Sequence, residues 1–301
     1  MKVNIPDALK ADIPQTTWGK ILSATPVVMT VVATMLAGLA SSEMTRAQYD
    51  RSLAAQQQAK AGDQWGYFQA KKLRGALQRN TLDIVLATTE VHPLEAAALP
   101  APVNDTTLVA LQRGELPAVA PIPEFDATVK AALEGIESQK PPPELVALLA
   151  QVKDETLTEA VRIANEYNHT FDAATKPVNL AIEQLEKLLA ATPTAGTLGK
   201  SPVRDFTVAR LRYNSSRYET EARLNQNVAN LLELQVRKNN ISAERHHNRS
   251  QRFFFGMLAA QAAVIISTFA IAAHKRNLLW SIAAAAGLAA IAFAIYVYVR
   301  V

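Results

Sequence analysis

Three apolar stretches free of charged residues constrain this chain more than anything else in it: Ile21 to Ala40, Phe253 to Ala273 and Leu278 to Val299. Each has about the length of helix needed to cross a hydrocarbon core roughly 30 Å thick. The sequence therefore predicts an all-α integral membrane protein. Three transmembrane helices would carry a long helical, coiled-coil-like extramembrane stalk interrupted by a proline-rich irregular insert. The first apolar run is too long for the core of a cleaved signal peptide and follows about twenty mostly polar residues, so it reads as a retained anchor. Trp18, Trp280, Tyr296 and Tyr298 stand at span ends, where aromatic side chains favour the interface.

Between the spans the chain divides by texture. Residues 1–17 carry Pro6 and Pro14 and read as a tail, followed by a span over 18–40. Residues 41–90 contain no proline and are rich in Ala and Gln, which predicts one long helix of roughly 70 Å. Nine of the 15 prolines fall in 91–143. This insert should be loop with short helices near Thr107–Arg113 and Glu124–Gln139, closed by the stiff run Pro141-Pro142-Pro143.

In 144–203 a helical-hairpin region is expected. Leu157, Val161, Ala164, Phe171, Val178, Ile182, Leu185 and Leu189 form its apolar seam, with Asn168 and Thr175 as polar members. Pro177 should kink or break it near Thr175–Lys176. Thr192 to Pro202 reads as a turn. A returning helix over 204–252, with Leu211, Tyr218, Leu224, Val228 and Leu231 inward, leads into a membrane hairpin over 253–301, its spans at 253–273 and 278–299.

One segment departs from this aliphatic and polar background: Asp63-Gln64-Trp65-Gly66-Tyr67-Phe68-Gln69-Ala70-Lys71-Lys72-Leu73-Arg74. It resembles the signature of a bacterial family of membrane proteins, domain of unknown function 4337. That family reads approximately Asp-Gln-Trp-Ala-Tyr-Tyr-Gln-Ala-Lys after its first membrane helix. Here Gly66 stands for the Ala and Phe68 for the second Tyr. The basic exit His246-His247-Asn248-Arg249 before a membrane hairpin is similar too. The resemblance covers residues 20–90 and 205–300, and nothing carries over for 91–203. It implies a multi-pass protein of a bacterial inner (plasma) membrane and no activity.

The signature offers Trp65, Tyr67, Phe68, Gln69, Lys71 and Arg74 as a packing or partner surface. Trp65, Phe68 and Lys72 share one helix face, and Tyr67, Lys71 and Arg74 a neighbouring one. Large aromatic and basic side chains serve equally as packing anchors or as binding hot spots. Arg245, Arg249 and Arg252 lie just before the second span, where they suit anionic lipid head groups. Nucleic acid is not expected, because no aromatics interleave with that cluster. Inside the membrane the polar groups include Gln261, Ser267 and Thr268. None is ionisable, which argues against a proton relay, and Gln261 should bond across to another helix. Small residues form stripes at Gly256/Ala260, Ala283/Gly287 and Ala286/Ala290/Ala294.

Catalytic motifs are absent from the sequence: there is no phosphate-binding glycine loop, nucleophile elbow or His-Glu-x-x-His. Cysteine is absent as well. His246 and His247 are adjacent and point about 100° apart on a helix, so they do not share an ion. No cofactor or metal is expected, and the chain does not read as an enzyme. Two functions remain. One is a structural or interaction protein, self-associating or bound to another membrane protein. The other is a homo-oligomeric pore lined by Gln261, Ser267 and Thr268. Basic residues near the span ends place the middle segment in the cytoplasm by a narrow margin. Lys275 and Arg276 in the short loop argue for the opposite side.

Overall fold

A computed structural model describes residues 17–119, 121, 124–191, 202–272 and 276–300. Those residues form seven α-helices: α1 (Thr17–Thr88), α2 (Asp105–Arg113), α3 (Ala127–Glu137), α4 (Pro142–Gln151), α5 (Asp154–Ala191), α6 (Pro202–Ala272) and α7 (Arg276–Arg300). A 3-10 turn at Ala96–Ala98 precedes α2, and no strand occurs among the described residues. The expected N-terminal tail (up to residue 16), most of the expected turn at 192–202 and His274-Lys275 of the short loop lie outside the described residues. The chain divides into two compact units, Met1–Ala54 with Asn239–Val301, and Ala55–Lys238. α1 and α6 contribute to both.

In the first unit three helices are long and apolar enough to cross a membrane. Alanines line much of the inner face, beside Met29, Leu36, Phe253 and Val297, while many large apolar side chains point outward. Ala33 and Ala40 of α1, Ala260, Ala263 and Ala270 of α6 and Ala283 and Ala290 of α7 are buried. Val28, Val31, Met35, Phe255, Phe269, Leu288 and Ile295 are exposed. A bundle built for water does the reverse, since exposing so much large apolar surface is unfavourable there. Lipid tails remove that penalty and leave close packing of small residues as the source of helix association.

Two glycines show how close the approach is. A Cβ on Gly256 would meet Leu36 Cδ1 at 3.3 Å, and one on Gly287 would meet Met29 Sδ at 2.8 Å. Replacing Gly287 with isoleucine is therefore expected to destabilise the bundle by about 1–3 kcal/mol through overpacking, seen as earlier thermal unfolding in mild detergent. Gly287→Ala should cost less, because the Met29 thioether can swing aside.

Burial along α1 follows alternating steps of four and three residues. Met29, Ala33, Leu36, Ala40, Glu43, Ala47 and Ala54 are buried in the first unit. The same phase continues in the second unit through Ala61, Gln64, Phe68, Lys71, Gly75, Gln78, Leu82 and Val85, which are buried or half-buried. A 3.5-residue repeat of this kind keeps one face of a long helix on its neighbours.

The second unit holds the larger core. Leu94, Leu111, Val178, Ile182, Leu185, Leu189, Phe206 and Tyr213 cluster together, drawn from the proline-rich insert, α5 and α6. The insert contains two capped helices. Asn104 accepts a hydrogen bond from Thr107 N at 2.7 Å, and Asp126 accepts one from Thr128 N at 2.8 Å, each satisfying a first-turn donor. α2 stops at Gly114, whose φ of 66° suits glycine, and a Cβ there would also strike Arg212. Polar bonds tie the insert down: Arg212 Nη1 donates to Gln112 O at 3.0 Å, and His92 N donates to Asp205 Oδ1 at 3.0 Å.

α5 does not break at Thr175–Lys176; it runs unbroken through Pro177. Its buried seam takes in Ala160 and leaves Val161 half-buried, and Asn168 is half-buried too. On α6, Leu211, Leu224, Val228 and Leu231 are buried, whereas Tyr218 is half-buried.

Candidate functional site at the aromatic signature

Signature residues occupy three sides of α1 within the second unit. On one side Trp65 Nε1 donates to Glu233 Oε1 of α6 at 2.8 Å. The indole stands edge-on to Phe68, with centroids 5.4 Å apart, and the Lys72 ammonium lies 5.3 Å from the Phe68 ring centre. Trp65 and Phe68 are half-buried. Further along α1, Gly75 lets the backbones come near: its missing Cβ would sit 3.4 Å from Tyr218 Cβ.

A second side carries Gln64, Tyr67 and Lys71, which line a polar cleft of about 300 Å³. Asn165, Asn168, His169 and Asp172 of α5 and Glu221 and Asn225 of α6 complete its walls. Glu221 is 6% exposed. It forms ion pairs with Lys71 and with Arg217, the latter at 3.4 Å. Both cations also approach the Tyr218 ring, at 5.4 and 4.5 Å from its centre. Burial pushes the Asp172 carboxyl above its ordinary range, and the Glu221 charge adds to that, opposed by Lys71, His169 and Arg217. A buried carboxylate held between two cations is a compensated pair. It joins α1 to α6.

The third side is the outward one. Gln69 and Arg74 are exposed there, and Tyr67, at the cleft margin, is exposed too. Of the six signature residues, the fold therefore brings Trp65, Phe68 and Lys71 onto α6 and leaves Tyr67, Gln69 and Arg74 facing out. Sequence reasoning missed their partners, Glu221 for Lys71 and Glu233 for Trp65, which lie far along the chain on α6 and carry no local signal.

At the end of the first apolar run, Glu43 Oε2 lies 2.6 Å from His246 Nδ1 and Glu43 Oε1 lies 3.8 Å from Arg249 Nη1. Arg46 approaches the same carboxylate at 3.6 Å. Ser250 Oγ donates to Ala40 O at 2.7 Å nearby. Of the three arginines assigned to lipid, Arg245 is exposed, while Arg249 and Arg252 are half-buried. No group of His, Asp or Glu suited to a metal ion occurs among the described residues.

The intramembrane polar residues do not share one face. Ser267 is buried and Thr268 exposed, and both donate to Val264 O, at 2.9 and 2.8 Å. Gln261, expected to bond across to another helix, is exposed and has no partner among the described residues. The α6 face that meets α1 and α7 is filled by Ala260 and Ala263 together with Met257, Ala259 and Val264.

The first membrane-type helix, the signature and α2 fall within one recognisable segment. Residues 18–113 match the family described as Domain of unknown function (DUF4337). The DUF4337 match includes Asp63 to Arg74 and extends into the insert as far as Arg113, while the similar-looking 205–300 lies beyond it. No curated protein and no solved structure matches the chain.

Proposed function

We propose that this chain is a non-enzymatic membrane scaffold: three spans anchor a helical unit that assembles with further copies of itself. One observation carries the reading. The face of α1 opposite its packed seam is uncovered, and beside Gln69 and Asn80 it carries Leu73, Leu77 and Ile84, each more than half exposed, at steps of four and seven. Gly62 and Gly66 on that side have nothing within 4 Å of where a Cβ would stand. Glycine weakens an exposed helix by about 1 kcal/mol relative to alanine, and no contact among the described residues gives a reason for it. A second helix approaching closely supplies one.

The compensated charges of the signature cleft support a structural role over a catalytic one. Exposed Arg245 and half-buried Arg252 suit anionic head groups of a bacterial inner membrane. Basic residues flanking the spans favour a cytoplasmic second unit. The pore reading is weaker, because Ser267 lies on the packed side of α6, away from Gln261 and Thr268.

Mass measurement of the purified chain in mild detergent tests the reading. An integer multiple of the chain mass is expected. The double change Leu73→Lys and Leu77→Lys should weaken assembly more than about tenfold, since each leucine buries about 1.5–3 kcal/mol of apolar surface. A strictly monomeric parent protein would overturn it.

A further inference from the structure

On α6 the side turned away from α1 and α7 carries Phe254, Leu258, Gln261, Ile265 and Thr268 at alternating steps of four and three residues. All five are exposed. Thr268 satisfies its hydroxyl on the backbone one turn earlier. Gln261 has no partner for its carboxamide among the described residues, and it stands near the middle of the apolar run Phe253 to Ala273, at the depth of lipid tails. Hydrocarbon offers a carboxamide neither donor nor acceptor, so an outward glutamine at that depth is costly unless a protein group meets it. Head groups do not reach mid-depth. The chain's own helices are engaged elsewhere, because α1 and α7 pack on Ala260 and Ala263.

We infer that a second copy of this chain packs on the Phe254–Leu258–Gln261–Ile265–Thr268 face of α6, with Gln261 bonded to the second copy's Gln261. The inference rests on self-association as proposed above and adds where in the membrane it occurs. Electrostatic self-complementarity selects the occupant. A carboxamide carries one donor group and one acceptor, so two of them related by a two-fold axis satisfy each other. Side chains from symmetry-related positions meet in this way at isologous interfaces. No charge lies on the seam to repel its mate, and Leu258 and Ile265 flank the amide on either side as apolar packing.

The chain lacks cysteine, so single cysteines report contacts without background. Leu258→Cys and Ile265→Cys, oxidised in native membranes, should give disulfide-linked dimers of the chain. Val31→Cys on α1 and Leu288→Cys on α7, both exposed to lipid, should not. Gln261→Leu should weaken dimerisation of labelled full-length protein in liposomes by about 3- to 30-fold, the range of one interhelical hydrogen bond, and Gln261→Asn should retain most of it. Equal cross-linking at Leu288→Cys, no cross-link at residues 258 and 265, or a link there to a different protein would each overturn the inference. If the protein still assembles in detergent and Leu77→Cys cross-links while residues 258 and 265 do not, the scaffold reading stands and this interface falls. A monomer in both detergent and liposomes removes both.

Discussion

Tyr213→Ala is expected to destabilise the second unit by about 3–5 kcal/mol, the range for removing a large aromatic from a packed core. Tyr213 is 0% exposed and lies among Leu111, Ile182, Leu185 and Phe206. Its hydroxyl has no hydrogen-bond partner among the described residues. Removing only that oxygen should therefore cost nothing: Tyr213→Phe is expected to hold or raise stability by up to about 1 kcal/mol, because an unsatisfied buried hydroxyl is lost. The same burial pushes the phenol up to about 12, with Arg217 pulling it down and Glu221 raising it again. The folded protein thus prefers the neutral phenol. That contribution is complete below the unfolded value near 10 and is lost as pH climbs from there towards 12. Thermal unfolding of the full chain in mild detergent, at pH 8 and at pH 11, separates these effects. The parent protein should lose more stability over that interval than Tyr213→Phe does. Equal losses would show that Tyr213 does not carry the alkaline sensitivity.

The spans were legible because a charge-free run of about twenty apolar residues has few other readings; the last was expected at 278–299 and α7 runs Arg276–Arg300. The seam of α5 was legible for a related reason, since Leu157, Phe171, Val178, Ile182, Leu185 and Leu189 stand out from charged neighbours. The seam of α1 was not. From Glu43 to Gln78 its members are mostly alanine, glutamine, glycine and charged residues, so hydrophobic contrast vanishes although the burial repeat is regular.

At Pro177 the expected break does not occur. Proline removes one donor and crowds the preceding turn, at about 3 kcal/mol. Buried Phe171 and Val178 on either side hold α5 in place against that cost. Thr175 turns its hydroxyl back onto Phe171 O and Asp172 O, at 3.0 and 3.2 Å, beside the proline. Tertiary packing thus overrode a local rule. The signature's aromatic content marked the right segment, but its chemistry depends on Glu221 and Glu233, and pairing at such separation leaves no trace in a single sequence.

Glu43→Ala is expected to cost the first unit about 3 kcal/mol. Glu43 is 7% exposed and is the acceptor for His246 Nδ1, with Arg249 beside it. Truncation leaves the basic groups of α6 without a counter-charge at the edge of the apolar helices, where water is scarce. Breaking one side of such a pair costs about 3–5 kcal/mol in a deep interior. The lower end applies here because Arg46 is mostly exposed and Arg249 only half-buried. Glu43→Gln keeps an acceptor for His246 and should lose roughly half as much.

A double-mutant cycle between Glu43→Ala and His246→Ala, read by thermal unfolding of the full chain in mild detergent, isolates the pair. Coupling above about 1 kcal/mol that persists at 0.5 M salt is the expected result, since buried pairs are screened far less than surface ones. Arg79 and Glu219, exposed and 3.4 Å apart, provide the internal standard, and coupling there should stay below about 1 kcal/mol. If Glu43 and His246 couple no more strongly than that exposed pair, the carboxylate is solvated in practice. The contact between α1 and α6 at this level would then rest on Ser250 and on the packing of Phe253 with Leu36 and Ala40.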